Sequence, residues 1–137
     1  MKILVAVDPA DTVHLPVARA AEMAKKEGAE LTLLAVAESV EDMESLFGAS
    51  ATERLRDKAS KALGAALGVV RAAGLDAKEL LEVGVSPEDF IVDIAKSGGF
   101  DLIVMGTRGK KKPHTLLVGS VASKVIALAP CSVLVVR

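Results

Sequence analysis

Apolar and polar positions along this chain fall into two alternating periods, and the alternation predicts its elements. Ile3 to Val7 is a short, nearly continuous apolar run ended by Asp8-Pro9, the pattern of a strand buried on both faces rather than one half in water. Val17, Ala20, Ala21 and Ala24 then recur at helical spacing, and Lys25, Lys26 and Gly28 supply a basic last turn and a stop. Pro16 has no N–H and fits only the first turn of that helix, which makes Pro9 to His14 a loop over the end of the first strand. Leu31 to Val36 predicts a second buried strand. From Glu38 through Ala49 an acidic stretch and the residues after it show no period, which leaves the conformation there open.

Ser50-Ala51-Thr52-Glu53 matches a capping box, and Leu55, Ala59, Ala62, Leu63, Ala66, Leu67 and Val70 mark one face of a long helix closed by Gly74. Gly64 and Gly68 lie on consecutive turns of it, each less favourable than alanine by about 1 kcal/mol; close packing against the sheet is the expected reason. Lys78 to Val83 is a third strand, interrupted by Lys78, Glu79 and Glu82 in a way that suits a sheet edge. Ser86-Pro87-Glu88-Asp89 opens a helix with Ser at the N-cap and Pro at the first position. Phe90, Ile91, Ile94 and Ala95 form its buried face and Gly98-Gly99 its end. Leu102 to Met105 is the fourth strand, Ser120 to Leu128 the fourth helix, stopped by Pro130, and Ser132 to Val136 the last strand.

Strands alternating with helices through short connections imply an open five-stranded parallel sheet with helices on both faces, a three-layer α/β/α domain spanning residues 1–137. Ligands of such sheets bind outside the carboxyl ends of the strands, where strand order reverses. With the first and fourth strands as neighbours, Asp8 and Gly106 meet at that point.

The composition narrows the ligand. Lysine and arginine number 17 against 18 aspartate and glutamate, so no overall field attracts nucleic acid or anionic membrane, and any anion site must be local. Phe47, Phe90 and Phe100 are the only aromatic residues, too few for a base-stacking platform. The five-residue apolar run at the start is too short for a signal segment or a membrane span, and the single Cys131 forms no internal disulfide. The expectation is a cytoplasmic protein without membrane or nucleic-acid partners.

Gly106 to Val121 reads GTRGKKKPHTLLVGSV: a strand ending in glycine, a basic loop, then Gly119-Ser120 opening an apolar helix. Glycines let backbone N–H groups approach an oxygen closely, and the helix start adds a positive dipole end and the Ser120 hydroxyl. Spacing alone leaves two readings, a phosphate cradle and an ordinary strand-to-helix loop. Arg108, Lys110, Lys111, Lys112 and His114 place a local positive field in this one loop of a nearly neutral chain, which favours the cradle.

Gly106, Gly109, Gly119 and Ser120 form G-x2-G-x9-G-S, which resembles the nucleotide-binding signature of the universal stress protein family. The strand ending in Val-Asp, the LLAV second strand, the DLIVMG fourth strand and the ending GSVASKVIALAPCSVLVV resemble the same family in the same order. The resemblance implies a Rossmann-like sheet of the adenine nucleotide alpha hydrolase-like type, strand order 3-2-1-4-5, and membership of the ATP-binding branch. It assigns Val7 and Asp8 to the adenine end, Val36 to backbone contacts with the base, and Met105 and Gly106 to the ribose and phosphates. Arg108 and Gly109 fall to the phosphates, as do Gly119, Ser120 and Val121 at the helix start. ATP, ADP and AMP, with or without Mg2+, are the ligands it leaves open, and a homodimer through Val133 to Val136 is the partner it implies. Two departures stand out: Pro9-Ala10 where the family often has Gly-Ser, and Lys110-Lys111-Lys112-Pro113-His114-Thr115 in a segment that often carries another glycine and a single arginine.

For Asp8 a turn-capping carboxylate is the competing reading. His14 and His114 lack a partner constellation, which favours surface or loop histidines over a general base or phosphate ligand. Cys131, between Pro130 and a strand, reads as an inert core thiol. Ser97-Gly98-Gly99-Phe100-Asp101 resembles most of a pyrophosphate loop, but it closes a helix and opens a strand, the reverse of what phosphate binding requires. With no Walker lysine pattern, no acid pair at metal-ligand spacing and no activated nucleophile, binding ranks above slow ATP hydrolysis or phosphotransfer. A nucleotide-independent interaction module of the same fold is the third reading.

Overall fold

A computed structural model of the protein describes residues 1–39, 43–48, 50–107 and 118–137. The strands are β1 (Lys2–Val7), β2 (Glu30–Glu38), β3 (Lys78–Gly84), β4 (Leu102–Gly106) and β5 (Ser132–Val136). The helices are α1 (Leu15–Glu27), α2 (Met43–Phe47), α3 (Ala51–Ala72), α4 (Pro87–Ser97) and α5 (Ser120–Leu128). All strand pairs are parallel and the order is β3-β2-β1-β4-β5, the architecture expected from the sequence.

The continuous apolar runs sit where burial on two faces demands them. Ile3, Leu4 and Val5 of β1, Leu33 of β2, and Ile103 and Val104 of β4 are wholly inaccessible to solvent, each contributing roughly 1.5–3 kcal/mol. Alternation divides them between two cores. Ile3, Val5, Val7, Leu33 and Val104 pack with Val17 and Ala20 of α1 and Ala59, Leu63 and Val70 of α3. On the opposite face Leu4, Leu34, Val36, Ile103 and Met105 pack with Ile91 and Ala95 of α4 and Ala122 and Val125 of α5. The interrupted strand β3 is indeed an edge, and β5 is the other.

Several local expectations are corrected. The stretch whose conformation the sequence leaves open includes the one-turn helix α2, too short to display a period. Ser50 sits at the N-cap of α3 but makes no capping bond; its hydroxyl instead accepts from the Arg54 guanidinium at 2.6 Å, so the capping box does not form. Gly64 and Gly68 do not press against the sheet. Both lie on the exposed face of α3, and a Cβ added at either meets nothing within 4 Å. Gly28 does end α1 as predicted, in the left-handed conformation (φ 67°) with its N–H bonded to the Ala24 carbonyl. Among the described residues no helix is long and apolar enough to cross a membrane.

Because the two α3 glycines carry the entropic cost of glycine without any contact that requires it, Gly64→Ala and Gly68→Ala should each stabilise the protein by about 0.5–1 kcal/mol. Urea titration with an unchanged slope is the check; a loss of stability would mean that the exposed face of α3 is occupied.

Candidate functional site

The register of β1 against β4, with Ile3 opposite Leu102 and Val5 opposite Val104, brings the carboxyl ends of these strands side by side. The direction in which successive strands are added reverses at this pair, and α1 and α5, which follow β1 and β4, pack on opposite faces of the sheet; in open α/β sheets the ligand crevice forms at such a reversal, outside the carboxyl ends of the strands.

The loop after β1 is built by its aspartates. Ala10 N–H donates to Asp8 Oδ1 at 2.9 Å, Asp11 N–H to the Asp8 carbonyl at 3.0 Å, and Val13 N–H to Asp11 Oδ1 at 2.9 Å. Asp8 therefore does cap a turn. On the alternation of β1 it follows Leu4 and Ala6, which face α4 and α5.

The loop ends at His14, where the surface reading fails. His14 is buried (6% exposed), while Val13 and Leu15 on either side are 68% and 51% exposed. Its backbone is left-handed (φ 57°, ψ 42°), the one non-glycine positive φ among the described residues, and its Nδ1 is buried without a hydrogen-bond partner among them. Left-handed backbone costs about 1–2 kcal/mol, and an unpaired buried polar atom costs about 1–3 kcal/mol. For want of a partner constellation the sequence favoured a surface or loop histidine; His14 does lie in the loop, but the backbone angle that turns it inward leaves no mark in composition or period.

The loop after β4 is pinned at both ends. Thr107, buried, donates its N–H to the Val136 carbonyl at 3.2 Å and accepts from Gly119 N–H at its own carbonyl. The start of α5 is thereby fixed beside the end of β4. Gly119 is the N-cap of α5, extended (φ −64°, ψ 163°), with no side-chain cap and no acid in the first turn. Helix α1 also has neither, whereas α3 carries Glu53 and α4 carries Glu88 and Asp89 in their first turns. The two helices that begin at the crevice thus keep an uncompensated positive end, and an anion is the ligand such ends favour.

Of the residues singled out in the sequence, Val36 and Met105 are buried in the α4/α5 core, Asp8, Gly106, Gly119 and Val121 are half-buried, and Ser120 is exposed. All seven stand on the carboxyl edge around β1 and β4. The Val7 side chain packs in the opposite core with α1 and α3, so only its backbone reaches that edge. Arg108, Gly109, Lys110, Lys111, Lys112 and His114 lie outside the described residues. Among the described residues no cluster of three or more His, Cys, Asp or Glu is arranged to hold a metal.

The opposite, amino edge is closed. Lys2 N–H donates to Asp101 Oδ2 at 2.7 Å, Lys2 Nζ donates to the Gly98 carbonyl, and the ammonium lies 4.7 Å from the centre of the Phe100 ring. The Ser97 to Asp101 stretch, between α4 and β4, is thus a helix stop tied to the first strand. Burial, and secondarily the nearby Asp101 carboxylate, raises the Cys131 thiol above its ordinary pKa, which disfavours the reactive thiolate.

Comparison with known proteins adds the following. The sequence profile of the universal stress protein family matches residues 1–137. A universal stress protein of Thermus aquaticus is 35% identical over 136 residues, covering 98% of this chain and 97% of its own. Among solved structures, universal stress protein UspA from Lactobacillus plantarum matches with a TM-score of 0.86 at 30% identity, covering 100% of this chain and 97% of that one. The universal stress protein from Archaeoglobus fulgidus in complex with dAMP matches with a TM-score of 0.72 at 27% identity, covering 100% and 98%.

Since Asp8 holds its own loop through one carboxylate oxygen, Asp8→Ala should lower stability by about 1 kcal/mol, and Asp8→Asn, which keeps the acceptor, should lose much less. Denaturant titration of the two variants decides it, equal losses being the contrary result.

Proposed function

Because the chain belongs to the universal stress protein family, we propose that it is a cytoplasmic regulatory protein that binds an adenine nucleotide, ATP in the first instance, across the carboxyl ends of β1 and β4. The observation that carries this is the uncapped N-terminus of α5, held beside the end of β4 by the Gly119–Thr107 hydrogen bond. Backbone N–H groups at such a helix start take a phosphate, and the dAMP complex of the Archaeoglobus fulgidus relative supports the choice of an adenine nucleotide.

In this reading Asp8 and the Val7 backbone meet the adenine end, and the Val36 backbone contacts the base. Met105 and Gly106 border the ribose and phosphates, and Gly119, Ser120 and Val121 take the phosphate at the helix start. Arg108 and Gly109, by their place in the sequence signature, complete the phosphate side. The three lysines that follow add charge suited to a polyphosphate, for which Mg2+ is the natural companion ion. Nucleotide occupancy acts on the segment after Gly109 or on association of two copies, rather than through turnover. The partner surface is β5, an edge strand whose residues Val133 to Val136 stay partly exposed and whose unpaired backbone groups a second copy would cover.

The φ and ψ of Gly119 are open to any residue, so a glycine there serves close approach rather than geometry. Gly119→Ala should therefore fold, at a cost below about 1 kcal/mol, and lose most of its nucleotide affinity. Calorimetric titration with AMP, ADP, ATP and cyclic AMP, with and without Mg2+, provides the measurement; a wild-type protein with no affinity for any of them would sink the proposal. In a size measurement the protein should elute as a dimer at micromolar concentration, and a monomer throughout would refute the β5 interface.

A further inference from the structure

Glu88 is one of four polar or charged residues buried among those described, and it sits in the first turn of α4, at the carboxyl edge of the sheet. A carboxylate taken out of water needs a cation, and its partner comes from another element: Lys124 Nζ lies 3.4 Å from Glu88 Oε1. The contact is longer than the roughly 2.7–2.9 Å of a well-formed charge-assisted bond. The two side chains are also unequally placed, that of Glu88 being 11% exposed and that of Lys124 61%. An ammonium has three donors, so this one keeps capacity for a second acceptor.

Lys124 is the only charged residue of α5, whose sequence is SVASKVIAL. The helix dipole favours a cation in the last turn, yet the last turn of α5 has none and its single cation stands at the middle of the helix. Lys124 follows the N-cap Gly119 by five residues, roughly 7.5 Å along the axis at 1.5 Å per residue. Long side chains on a helix lean back toward its N-terminus, which directs this one to the end where Gly119 and Ser120 stand. The pair also bridges α4 and α5 on the sheet face that Val36 and Met105 occupy.

We propose that Lys124 is a further nucleotide-binding residue, shared between Glu88 and the phosphate of the bound nucleotide, and that this sharing couples occupancy to the first turn of α4. The inference rests on the adenine-nucleotide reading above. Lys124 moves toward the phosphate on binding, its hold on Glu88 loosens, and the α4–α5 contact changes. Without the lysine, the buried Glu88 carboxylate and the incoming phosphate would face each other as like charges.

Titration of wild type, Lys124→Gln, Glu88→Gln and the double variant with adenosine and with AMP tests this. Lys124→Gln should weaken AMP about tenfold and leave adenosine unchanged. Glu88→Gln, which frees the ammonium, should tighten AMP severalfold, and that gain should vanish in the double variant. The amide resonances of Glu88 and Asp89 should shift on adding AMP to wild type and stay in place in Lys124→Gln. A pair that only ties α4 to α5 would lower the melting temperature when broken but keep the AMP-to-adenosine ratio, and that result overturns the proposal. Equal loss of AMP and adenosine in Lys124→Gln overturns it as well. Failure of wild type to bind either ligand removes the nucleotide reading itself, whereas an unchanged ratio in the variants removes only the part given to Lys124.

Discussion

The parallel pairing of β1 with β4 is the constraint on which the rest of this molecule depends. Crossovers between parallel strands are right-handed, so the advance from β1 to β2 to β3 lays α1 and α3 on one face. The chain then returns across β1 to place β4, and the advance in the other direction lays α4 and α5 on the opposite face. A strand neighboured on both sides and covered on both faces has no exposed position to spare, which is why Ile3, Leu4 and Val5 are wholly buried. The crevice is a by-product of the same reversal. In open α/β sheets ligands bind at such a reversal, outside the carboxyl ends of the strands.

The two edges of the sheet are finished differently. At the amino edge Lys2 satisfies Asp101 and Gly98 and covers Phe100, and the Asp101 N–H returns a bond to the Lys2 carbonyl at 2.8 Å. These contacts join the first strand to the turn before the fourth and hold the β1–β4 register from below. At the carboxyl edge the loop bonds are equally regular, since Asp8 and Asp11 fold the first loop and Thr107 anchors the second. What differs is that polar capacity there is left unused. A rigid loop that still leaves an imidazole nitrogen buried and unpaired is a different object from a loose one, because it does not relax to remove the cost.

Much of this was legible in the chain, and the reason is physical. Runs such as Leu31 to Val36 and Leu102 to Met105 must be apolar throughout because both faces are covered, and β3, with Lys78, Glu79 and Glu82, is polar because its outer edge is wet. The Gly-Ser start of α5 was readable because it lies where a strand-to-helix turn must lie. Features set by three-dimensional packing were not readable. Gly64 and Gly68 suggested close approach, yet nothing approaches them; a helix face does not reveal from spacing alone which stripe the sheet will take. Ser50 and Glu53 have the capping-box spacing, but Arg54 takes the hydroxyl. For His14 nothing in the sequence marked burial, since hydrophobic pattern assumes that the backbone keeps its ordinary angles.

Departures from local rules carry information only against a background where the rules hold. Here that background is firm: the buried strands are apolar, Gly28 closes α1 in the conformation glycine favours, and α3 and α4 carry acids at their positive ends. The exceptions collect at one edge. Helices α1 and α5 begin there without an acid in the first turn, His14 combines left-handed backbone with an unpaired nitrogen, and Gly119 occupies an N-cap whose angles do not call for glycine. The His14 backbone and its unpaired nitrogen each lower stability, and neither is compensated by a contact among the described residues. Costs gathered at one edge, opposite one where Lys2, Gly98 and Asp101 satisfy one another, are what a preformed site for an anionic ligand would require, since preorganisation leaves polar groups unspent until a ligand meets them.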